Sequence, residues 1–460
     1  MKFIYQIGRF DTNYTKSINF KIDNMSCQCS LSSIALKQYF KQNGHKTKLI
    51  LVYPVSIIYN ENAVKNINDE FVQIIKKNVG SYLDNPKQIL NSHPHNKDND
   101  FLVVHSIGKY KLKNIEIEFQ GTFDDIVLEI LCDMVEKYLE IKSELNEFYV
   151  DISSGHNIYI SALLEALKHF SIFCQLLNWE NKNLRPKTYV VFSEPLMSPS
   201  TNEAQMYIKE SEFKAFFSSP VKKDDIDINN GNRLAKRIYY EDREKRSKID
   251  KILTNFGIVY SAIRNYTPLV LYHFGYDGYD EVVNFLKQNI IENIKNKMRE
   301  NWVQSPNLQK DDYIKIILTL GLYAGIVEVL YNIKVNRYEE NEGVELNQIK
   351  EKFATNGKSI YEKFNLDLSI SLLGQEIHNL SEGKDEKGKK LIDKCSNQWE
   401  KLGKYLYGIE GGFNWRNFLA HAGFEKTITE VKKENSKIHF RYTSNEEQRI
   451  KNEIIKNFQS

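Results

Sequence analysis

Two side chains near the end of the chain could together cleave RNA without a metal ion. Arg416 and His421 lie five positions apart, and Asn417 directly follows the arginine. Histidine can transfer a proton near neutral pH, because its unperturbed pKa is about 6.5. Arginine can hold a phosphate by two hydrogen bonds and offset the charge that grows on it. The flanking residues favour a helix, so we predict a helix that begins near Trp415 and carries both side chains.

An arginine and a histidine at this spacing also occur by chance. The alternative interpretation is an arginine on a solvated helix face and a histidine that caps or packs nearby. His378 is a second candidate for proton transfer, but it has no partner at metal-ligand spacing. We interpret His378 as a structural or surface residue.

A loop in the first half of the chain has the composition of an anion site. Asp151 and Ile152 end a predicted strand, Ser153, Ser154 and Gly155 follow, and Asn157 opens a predicted helix. A helix N-terminus offers free N–H groups to an anion, and serine hydroxyls add donors. Neither the dinucleotide fingerprint nor the P-loop pattern is present. A ligand that carries phosphate groups is one interpretation, and an ordinary capped turn is the other.

Strands alternate with helices around this loop, which predicts a mostly parallel sheet with helices on both faces. Such sheets bind ligands at the carboxyl ends of their strands. The predicted strands are Lys2–Ile7, Lys48–Tyr53, Phe101–His105, Phe148–Ile152 and Thr188–Phe192, with a small hairpin at Lys109–Phe119. The predicted helices are Leu31–Gln42, Ala63–Leu83, Asp124–Lys142 and Asn157–Phe170. Ser30 or Ser32 is expected to cap the first of these helices.

The second half reads as helical, without strand alternation between residues 200 and 430. The predicted helices are Glu203–Phe217, Leu234–Arg264, Asp280–Arg299, Asp312–Ile333, Ile349–Phe364 and Lys389–Tyr407, and a short strand and a helix are expected within Ile438–Ser460. A dense charge run, Arg237 to Lys251, favours a solvated helix face. An electropositive approach for RNA is the alternative interpretation of this run.

Composition places the chain among globular proteins of two or three domains. It has 460 residues, 41% hydrophobic residues and a net charge of +3, which is too small to argue for nucleic acid by itself. Its five cysteines are scattered, and Cys27 and Cys29 have no second pair at zinc-ligand spacing, so no metal is expected. We expect no signal peptide, no membrane span and a reducing cytoplasm.

The first 195 residues resemble the CARF sensor domains of type III CRISPR systems. The run from Asp151 to Asn157 is similar to their D-[LI]-[ST]-x-G-x-N signature, and the run from Phe119 to Asp124 is similar to their F-x-G-x-x-D. The resemblance implies a dimeric sensor whose paired strand-end loops bind a cyclic oligoadenylate, with cyclic tetra-adenylate the expected ring. The implied ligand contacts are Ser153, Ser154, Gly155 and Asn157, together with Arg9 or Asn13 of the loop after the first strand.

The helical second half resembles the HEPN ribonuclease domain, whose motif is R-x(4–6)-H. Arg416, Asn417 and His421 match this motif residue by residue. The resemblance implies catalytic roles for Arg416 and His421, an orienting role for Asn417, and no cofactor apart from the allosteric activator. The whole chain is similar to CARF–HEPN ribonucleases that cyclic oligoadenylate activates.

The expected architecture is an α/β Rossmann-like N-terminal sensor domain with a parallel-sheet core, followed by an all-α C-terminal HEPN domain. We predict the sensor at residues 1–195, a helical connecting region at 196–300 and the HEPN-like domain at 301–460.

On a helix, positions five apart differ by about 140°, so Arg416 and His421 of one chain do not converge on one phosphate. A two-fold axis beside the helix would bring two of each into one cleft. The expected reaction is metal-independent cleavage of single-stranded RNA by a homodimer or an assembly of dimers, without a membrane partner. Its products would carry 2′,3′-cyclic phosphate and 5′-OH ends. The alternatives are a ligand-responsive transcription regulator and a non-catalytic RNA-binding or dimerisation protein.

Overall fold

The computed structural model describes residues 1–9, 17–59, 81–112, 115–141, 146–195, 202–226, 232–339, 342–406 and 412–458. The chain forms two compact units. The first comprises residues 1–215 and 286–318, and the second comprises residues 216–285 and 319–460. Three predicted features lie outside the described residues: Asn13, most of the predicted helix at Ala63–Leu83, and the domain boundary near residue 196. The three predicted segments therefore stay predictions.

The first unit is built on an eight-stranded mixed sheet in the order β3-β2-β10-β9-β8-β1-β4-β5. Its strands are β1 Lys2–Ile7, β2 Ile18–Ile22, β3 Met25–Cys29, β4 Thr47–Pro54, β5 Asp100–Val104, β8 Glu147–Asp151, β9 Lys187–Ser193 and β10 Glu203–Glu210. The central strands β5, β4, β1, β8 and β9 run parallel. Two further strands, β6 Ile107–Leu112 and β7 Ile115–Gln120, form the predicted hairpin. The Rossmann-like prediction is confirmed.

Helices cover this sheet because its central strands are buried and apolar. They are α1 Ser32–Gln42, α2 Pro86–Leu90, α3 Phe123–Glu140, α4 Asn157–Leu177 and α9 Glu292–Arg299. A π-helical turn, Leu286–Ile291, leads into α9. A capping box starts α3: the Thr122 hydroxyl accepts from the Asp125 N–H, and the Asp125 carboxylate accepts from the Thr122 N–H.

Two predictions for this unit were wrong. The segment Glu203–Glu210 is a strand instead of the start of a helix, with Ala204 and Met206 buried at alternate positions. It is rich in good helix formers, but pairing with β9 and β2 overrides that local preference. The loop after β1 also contains strands, β2 and β3, which pair around a tight turn at Asp23.

The second unit is mainly helical. Its helices are α5 Arg233–Ile238, α6 Arg243–Arg264, α7 Pro268–Phe274, α8 Tyr279–Phe285, α11 Leu346–Ile349, α12 Ile360–Lys363, α13 Asp367–Glu382, α14 Leu391–Lys394, α15 Leu402–Leu406, α16 Trp415–Ala420 and α17 Glu447–Lys456. Helix α10, Lys310–Asn332, runs from the first unit into the second. The prediction of a helical second half is confirmed.

The prediction that no strand interrupts residues 200–430 was wrong. A small antiparallel sheet has the order β11-β14-β13-β12, with β11 Val344–Glu345, β12 Glu400–Lys401, β13 Thr429–Glu434 and β14 Lys437–Tyr442. Asn435 and Ser436 join β13 to β14 with positive φ angles of 47° and 62°. Such turns usually carry glycine, so this pair gives a weak sequence signal.

Within the described part of the chain, two helices, α4 and α10, are long and apolar enough to cross a membrane by length and composition alone. The share of the most apolar window that is buried inside the protein is 56% for α4 and 83% for α10. Core helices of globular proteins meet the same test.

Candidate functional site

The predicted ligand loop lies where two neighbouring parallel strands end. β1 and β8 pair in register, and Gln6 is the partner of Asp151. The residues after them, Gly8 and Arg9 on one side and Ser153 to Asn157 on the other, therefore lie at the same edge of the sheet. The Asp151 carboxylate accepts from the Ser153 N–H at 2.9 Å. Burial raises the pKa of Asp151 even though this contact lowers it.

A buried glutamine, Gln6, ties three chain segments together at this edge. Its amide nitrogen donates to the Ser32 hydroxyl at 2.8 Å and to the Ser154 hydroxyl at 3.1 Å. Its carbonyl oxygen accepts from the Ser33 hydroxyl and, at 3.3 Å, from the Ser33 N–H. The prediction that Ser30 or Ser32 caps α1 was wrong, because Leu31 is the N-cap and its side chain makes no capping hydrogen bond. The Ser32 hydroxyl instead accepts a hydrogen bond from Gln6.

Gly155 has a geometric reason to be glycine. Its φ angle is +128°, a region that side chains with a Cβ rarely adopt. A Cβ atom built on Gly155 would lie 2.8 Å from Cβ of Ile7. The loop thus packs directly on the end of β1, which places Ser154 within reach of Gln6.

The helix that follows the loop leaves its first turn open. α4 starts at Asn157, its N-cap His156 makes no side-chain cap, and no acidic residue lies in its first turn. Asn157 and His156 are exposed. Free N–H groups of a 21-residue helix next to serine hydroxyls suit a phosphate. Arg9 is half-buried at the same edge.

The Arg–His motif lies on a short helix, α16, anchored by one aromatic side chain. Asn414 caps it by accepting from the Asn417 N–H at 3.2 Å. Phe418 is fully buried and packs against Trp415 and against Tyr442 of β14. With Phe418 facing inward, Arg416 and Asn417 are left exposed.

His421 lies at the C-cap of α16, in a fixed turn. The Gly423 N–H donates to the Phe418 carbonyl at 2.8 Å, and the Ala422 N–H donates to the Leu419 carbonyl at 3.2 Å. This pair of bonds is the Schellman motif. A Cβ on Gly423 would lie 2.9 Å from the Tyr442 hydroxyl, which itself donates to the Gly423 carbonyl. The backbone therefore holds His421 although its side chain is 53% exposed.

A carboxylate outside the motif holds the imidazole of His421. Nδ1 lies 3.3 Å from both carboxylate oxygens of Glu376, on helix α13, and the Glu376 side chain is 13% exposed. A carboxylate at Nδ1 keeps the proton on that nitrogen and leaves Nε2 free as an acceptor. Arg416 has no hydrogen bond or ion pair with any residue of the described ranges, so its guanidinium is available to a ligand.

The structure thus gathers the predicted residues at two separate places. Ser153, Ser154, Gly155, Asn157 and Arg9 share the sheet edge of the first unit. Arg416, Asn417 and His421 share α16 and its C-cap in the second unit. Their catalytic and ligand-binding roles stay predictions.

Sequence reasoning missed Gln6, Ser33 and Glu376. Gln6 sits in an apolar strand, where an internal polar residue is a signal for a buried network. Glu376 is 45 positions from His421, and no local pattern links the two. His378 is exposed, as predicted. Within the described ranges, no group of three or more His, Cys, Asp or Glu side chains is placed to hold a metal ion.

Comparison with known families matches both halves of the chain. Residues 2–195 match the family described as CRISPR system endoribonuclease Csx1, CARF domain. Residues 366–446 match the family described as CRISPR system endoribonuclease Csx1, HEPN domain. No curated protein matches the chain. The first match contains the ligand loop, and the second contains α13, α16 and the Glu376–His421 contact. The two matches occur in the expected order and together cover more than half of the sequence, so the chain belongs to the CRISPR-associated CARF–HEPN ribonucleases.

Proposed function

We propose that this protein cleaves single-stranded RNA without a metal ion when a cyclic oligoadenylate occupies the loop at the ends of β1 and β8. The observation that carries the proposal is the contact of His421 with Glu376 beside the unpartnered Arg416. A base held in one tautomer and a free guanidinium are the groups that transesterification of RNA needs.

In the proposed reaction the RNA supplies its own nucleophile. The 2′-OH gives its proton to Nε2 of His421, and O2′ bonds to the adjacent phosphorus while the P–O5′ bond breaks. The leaving oxygen takes a proton from a protonated imidazole. Arg416 stabilises the charge on the phosphate oxygens in the transition state. The products carry 2′,3′-cyclic phosphate and 5′-OH ends, and DNA, which lacks the 2′-OH, is not cut. Asn417 keeps the role of orienting Arg416 or the backbone.

A second copy of the chain completes the proposed site. Positions five apart on an ideal helix differ by about 140°, so we do not expect one copy to aim both Arg416 and His421 at one phosphate. Helix α13, which carries Glu376, exposes two leucines on the same stripe: Leu368 is 84% and Leu372 is 49% exposed. Exposed leucines at this spacing, on the helix whose Glu376 contacts His421, suit an isologous helix contact. We therefore propose a homodimer through α13, and higher assemblies of such dimers remain compatible with it.

The activator is proposed to bind at the loop of the first unit. The serine hydroxyls, the open first turn of α4 and Arg9 offer donors and positive charge for several phosphates. Cyclic tetra-adenylate is the proposed ring. Binding at two loops of a dimer would favour the geometry of the helical units that cuts, as a population shift. The proposed setting is type III CRISPR antiviral defence in the cytoplasm.

The decisive experiment is cleavage of a labelled single-stranded RNA in EDTA, with and without cyclic tetra-adenylate. We expect cleavage that depends on the ligand, and product ends that polynucleotide kinase labels at the 5′ side without prior phosphatase. Cleavage with cyclic hexa-adenylate alone would keep the mechanism and change the ring. The absence of RNA cleavage with either cyclic tetra-adenylate or cyclic hexa-adenylate would contradict the proposal.

Variants of the site separate catalysis from binding. Arg416→Ala and His421→Ala should each lower the cleavage rate at least about 100-fold, within the range of a lost acid–base or electrostatic group. His378→Ala is the matched control, because His378 is exposed on α13 close in sequence to Glu376 but makes no contact with His421. Full activity of Arg416→Ala would rule out the catalytic assignment.

The alternative of a transcription regulator relied on the charge run from Arg237 to Lys251. In the structure three of the six cations in this run pair with neighbours: Arg237 with Asp225 at 2.7 Å, Lys248 with Glu244 at 2.7 Å, and Lys245 with Asp242 at 3.3 Å. Local pairing suits a solvated face better than a duplex-binding surface. Binding of a DNA duplex without RNA cleavage would nevertheless favour the regulator.

A further inference from the structure

A groove on the first unit lies away from the ligand loop. It runs along β5, the edge strand of the large sheet, between that strand and α9, and it has a volume of about 480 Å³. Sites for small organic ligands have volumes of roughly 300 to 1,000 Å³. Strands β1 and β4 separate β5 from β8, which places the groove about 14 Å across the sheet from the loop that follows β8.

The floor of the groove is apolar. Phe101 of β5, Cys132 of α3, Ile294 and Met298 of α9, and Trp302 line it. These side chains give a flat organic body the contact area that small-molecule sites usually provide.

The carboxylates of the groove are already neutralised. Glu129 pairs with the buried His105 at 2.8 Å, Asp133 with Lys137 at 3.4 Å, and Glu136 with Lys295 at 2.7 Å.

A fourth carboxylate, Asp100, is exposed at the rim. Burial lowers the pKa of Lys37, and the charge of Asp100 only opposes that shift. The charges of Asp133 and Asp100 raise the pKa of Lys137 against the effect of burial. Among the described residues, Asp100 forms no ion pair with Lys87 or Arg299.

Two cations at the rim of the groove, Lys87 and Arg299, do not take part in these ion pairs. Neither side chain makes a hydrogen bond or an ion pair with any residue that the structure describes. Burial lowers the pKa of Lys87, and the charges of Arg299, Lys295 and Lys137 lower it further, against only Asp133. The field at Lys87 is therefore positive although carboxylates line the groove.

We propose that this groove binds a small phosphate ester, with the phosphate between Lys87 and Arg299 and an aromatic or apolar body on the floor. Arginine binds phosphate with two parallel hydrogen bonds, and lysine adds a point charge. Asn91 offers a further amide at the same rim. The site is independent of RNA cleavage, so either assignment can fail without the other.

Covalent labelling of the full chain with pyridoxal 5′-phosphate tests this site. The Lys87 amine and the aldehyde form an imine with loss of water, and borohydride then transfers a hydride to the imine carbon to give a stable secondary amine. Peptide mass spectrometry locates the label. We expect Lys87 to be labelled at least about tenfold more than Lys109, a lysine whose side chain is 65% exposed. Pyridoxal without the phosphate should lose this preference.

Arg299→Met and competition complete the test. Arg299 is exposed and without a partner in the described ranges, so its replacement should leave thermal unfolding unchanged and lower the labelling of Lys87 about tenfold. Phenyl phosphate or adenosine monophosphate should protect Lys87, and the stronger of the two identifies an aryl or a nucleotide ligand. Labelling of Lys87 equal to that of Lys109, indifference to Arg299→Met, or equal protection by benzoate would overturn the phosphate site.

Discussion

Glu376 is the residue that gives the exposed His421 a defined orientation. Its carboxylate meets Nδ1 and leaves Nε2 for the proposed proton transfer. Glu376→Gln keeps the size of the side chain but removes the carboxylate that fixes the tautomer. We expect a loss of about tenfold or more in kcat with little change in KM.

A role of Glu376 in packing alone predicts a different result. It would change the unfolding transition and leave kcat of the folded protein unchanged. Gln375→Ala on the neighbouring, exposed position of α13 is the matched control, and it should behave as the native protein. An unchanged kcat in Glu376→Gln would exclude the positioning role.

Gly155 combines a positive φ angle with a close approach to Ile7. Gly155→Ala should therefore cost about 1–3 kcal/mol in backbone strain and also push the loop away from β1. We expect weaker binding of cyclic tetra-adenylate in a titration, together with a higher activator concentration for half-maximal cleavage.

The variant Gly108→Ala distinguishes backbone strain from the displacement of the loop. Its φ angle is +101°, yet a Cβ there would meet no atom within 4 Å. Gly108→Ala should show the strain in thermal unfolding without a change in ligand affinity. Equal effects of the two variants on affinity would contradict the packing argument for Gly155.

At the scale of elements, a buried histidine links helix α7 to β14. The Tyr338 hydroxyl accepts from the Tyr442 N–H at 3.1 Å and forms a hydrogen bond with Nδ1 of His273. Burial, helped by the charges of Arg337 and Lys451, lowers the pKa of His273 to about 4.

The pH dependence follows from the sign of this shift. Because the folded pKa lies below the unfolded value of about 6.5, the unfolded chain binds the proton first as the pH falls. The second unit should lose stability between pH 6.5 and 4, by about 3 kcal/mol from this one group, since each pKa unit is worth about 1.4 kcal/mol. Glu447, 3.3 Å from Nε2 and partly exposed, acts in the opposite sense and reduces the loss.

Denaturant unfolding at pH 7 and pH 4.5 measures this loss. His273→Gln should lower stability at pH 7 and flatten the dependence on pH. His45→Gln, at an exposed position of the first unit, is the control and should leave the dependence unchanged. If the free energy of unfolding of His273→Gln still falls as the pH is lowered, other groups cause the acid sensitivity.

At the scale of the whole molecule, the proposed dimer depends on Leu368 and Leu372 of α13. Their replacement by Glu in both copies would place like charges opposite each other across a two-fold axis. We expect the double variant to lose RNA cleavage at least about tenfold while it still binds cyclic tetra-adenylate, because the ligand loop lies in the other unit.

Tyr240→Glu is the control for the double variant at Leu368 and Leu372. Tyr240 is 80% exposed but lies between α5 and α6, outside the stripe that carries Glu376. Its replacement should leave cleavage intact. Sedimentation and unfolding of both proteins would distinguish a lost contact from a lost fold. Full cleavage by the leucine variant would remove α13 from the dimer contact.

Several features followed from the sequence alone because they depend on neighbours along the chain. Alternating apolar strands and helices gave the parallel sheet, and the glycine between Ser154 and His156 marked the tight loop at its edge. The residue types of Arg416 and His421 indicated the chemistry, and the helix-forming residues around them predicted a helix that begins near Trp415, where the structure has it.

Tertiary structure alone decided what comes together from distant positions. Glu203–Glu210 became a strand because β9 and β2 offered backbone partners on both sides. Gln6 meets Ser154 and Glu376 meets His421 across 148 and 45 positions, and no local preference encodes such contacts. The groove of Lys87 and Arg299 depends in the same way on β5 and α9, which are close only in the folded chain. Local propensity determines where most helices and strands form, whereas burial and the pairing of backbone groups determine which of them become neighbours. The contact of the Glu376 carboxylate with His421 could therefore be seen only in the folded structure.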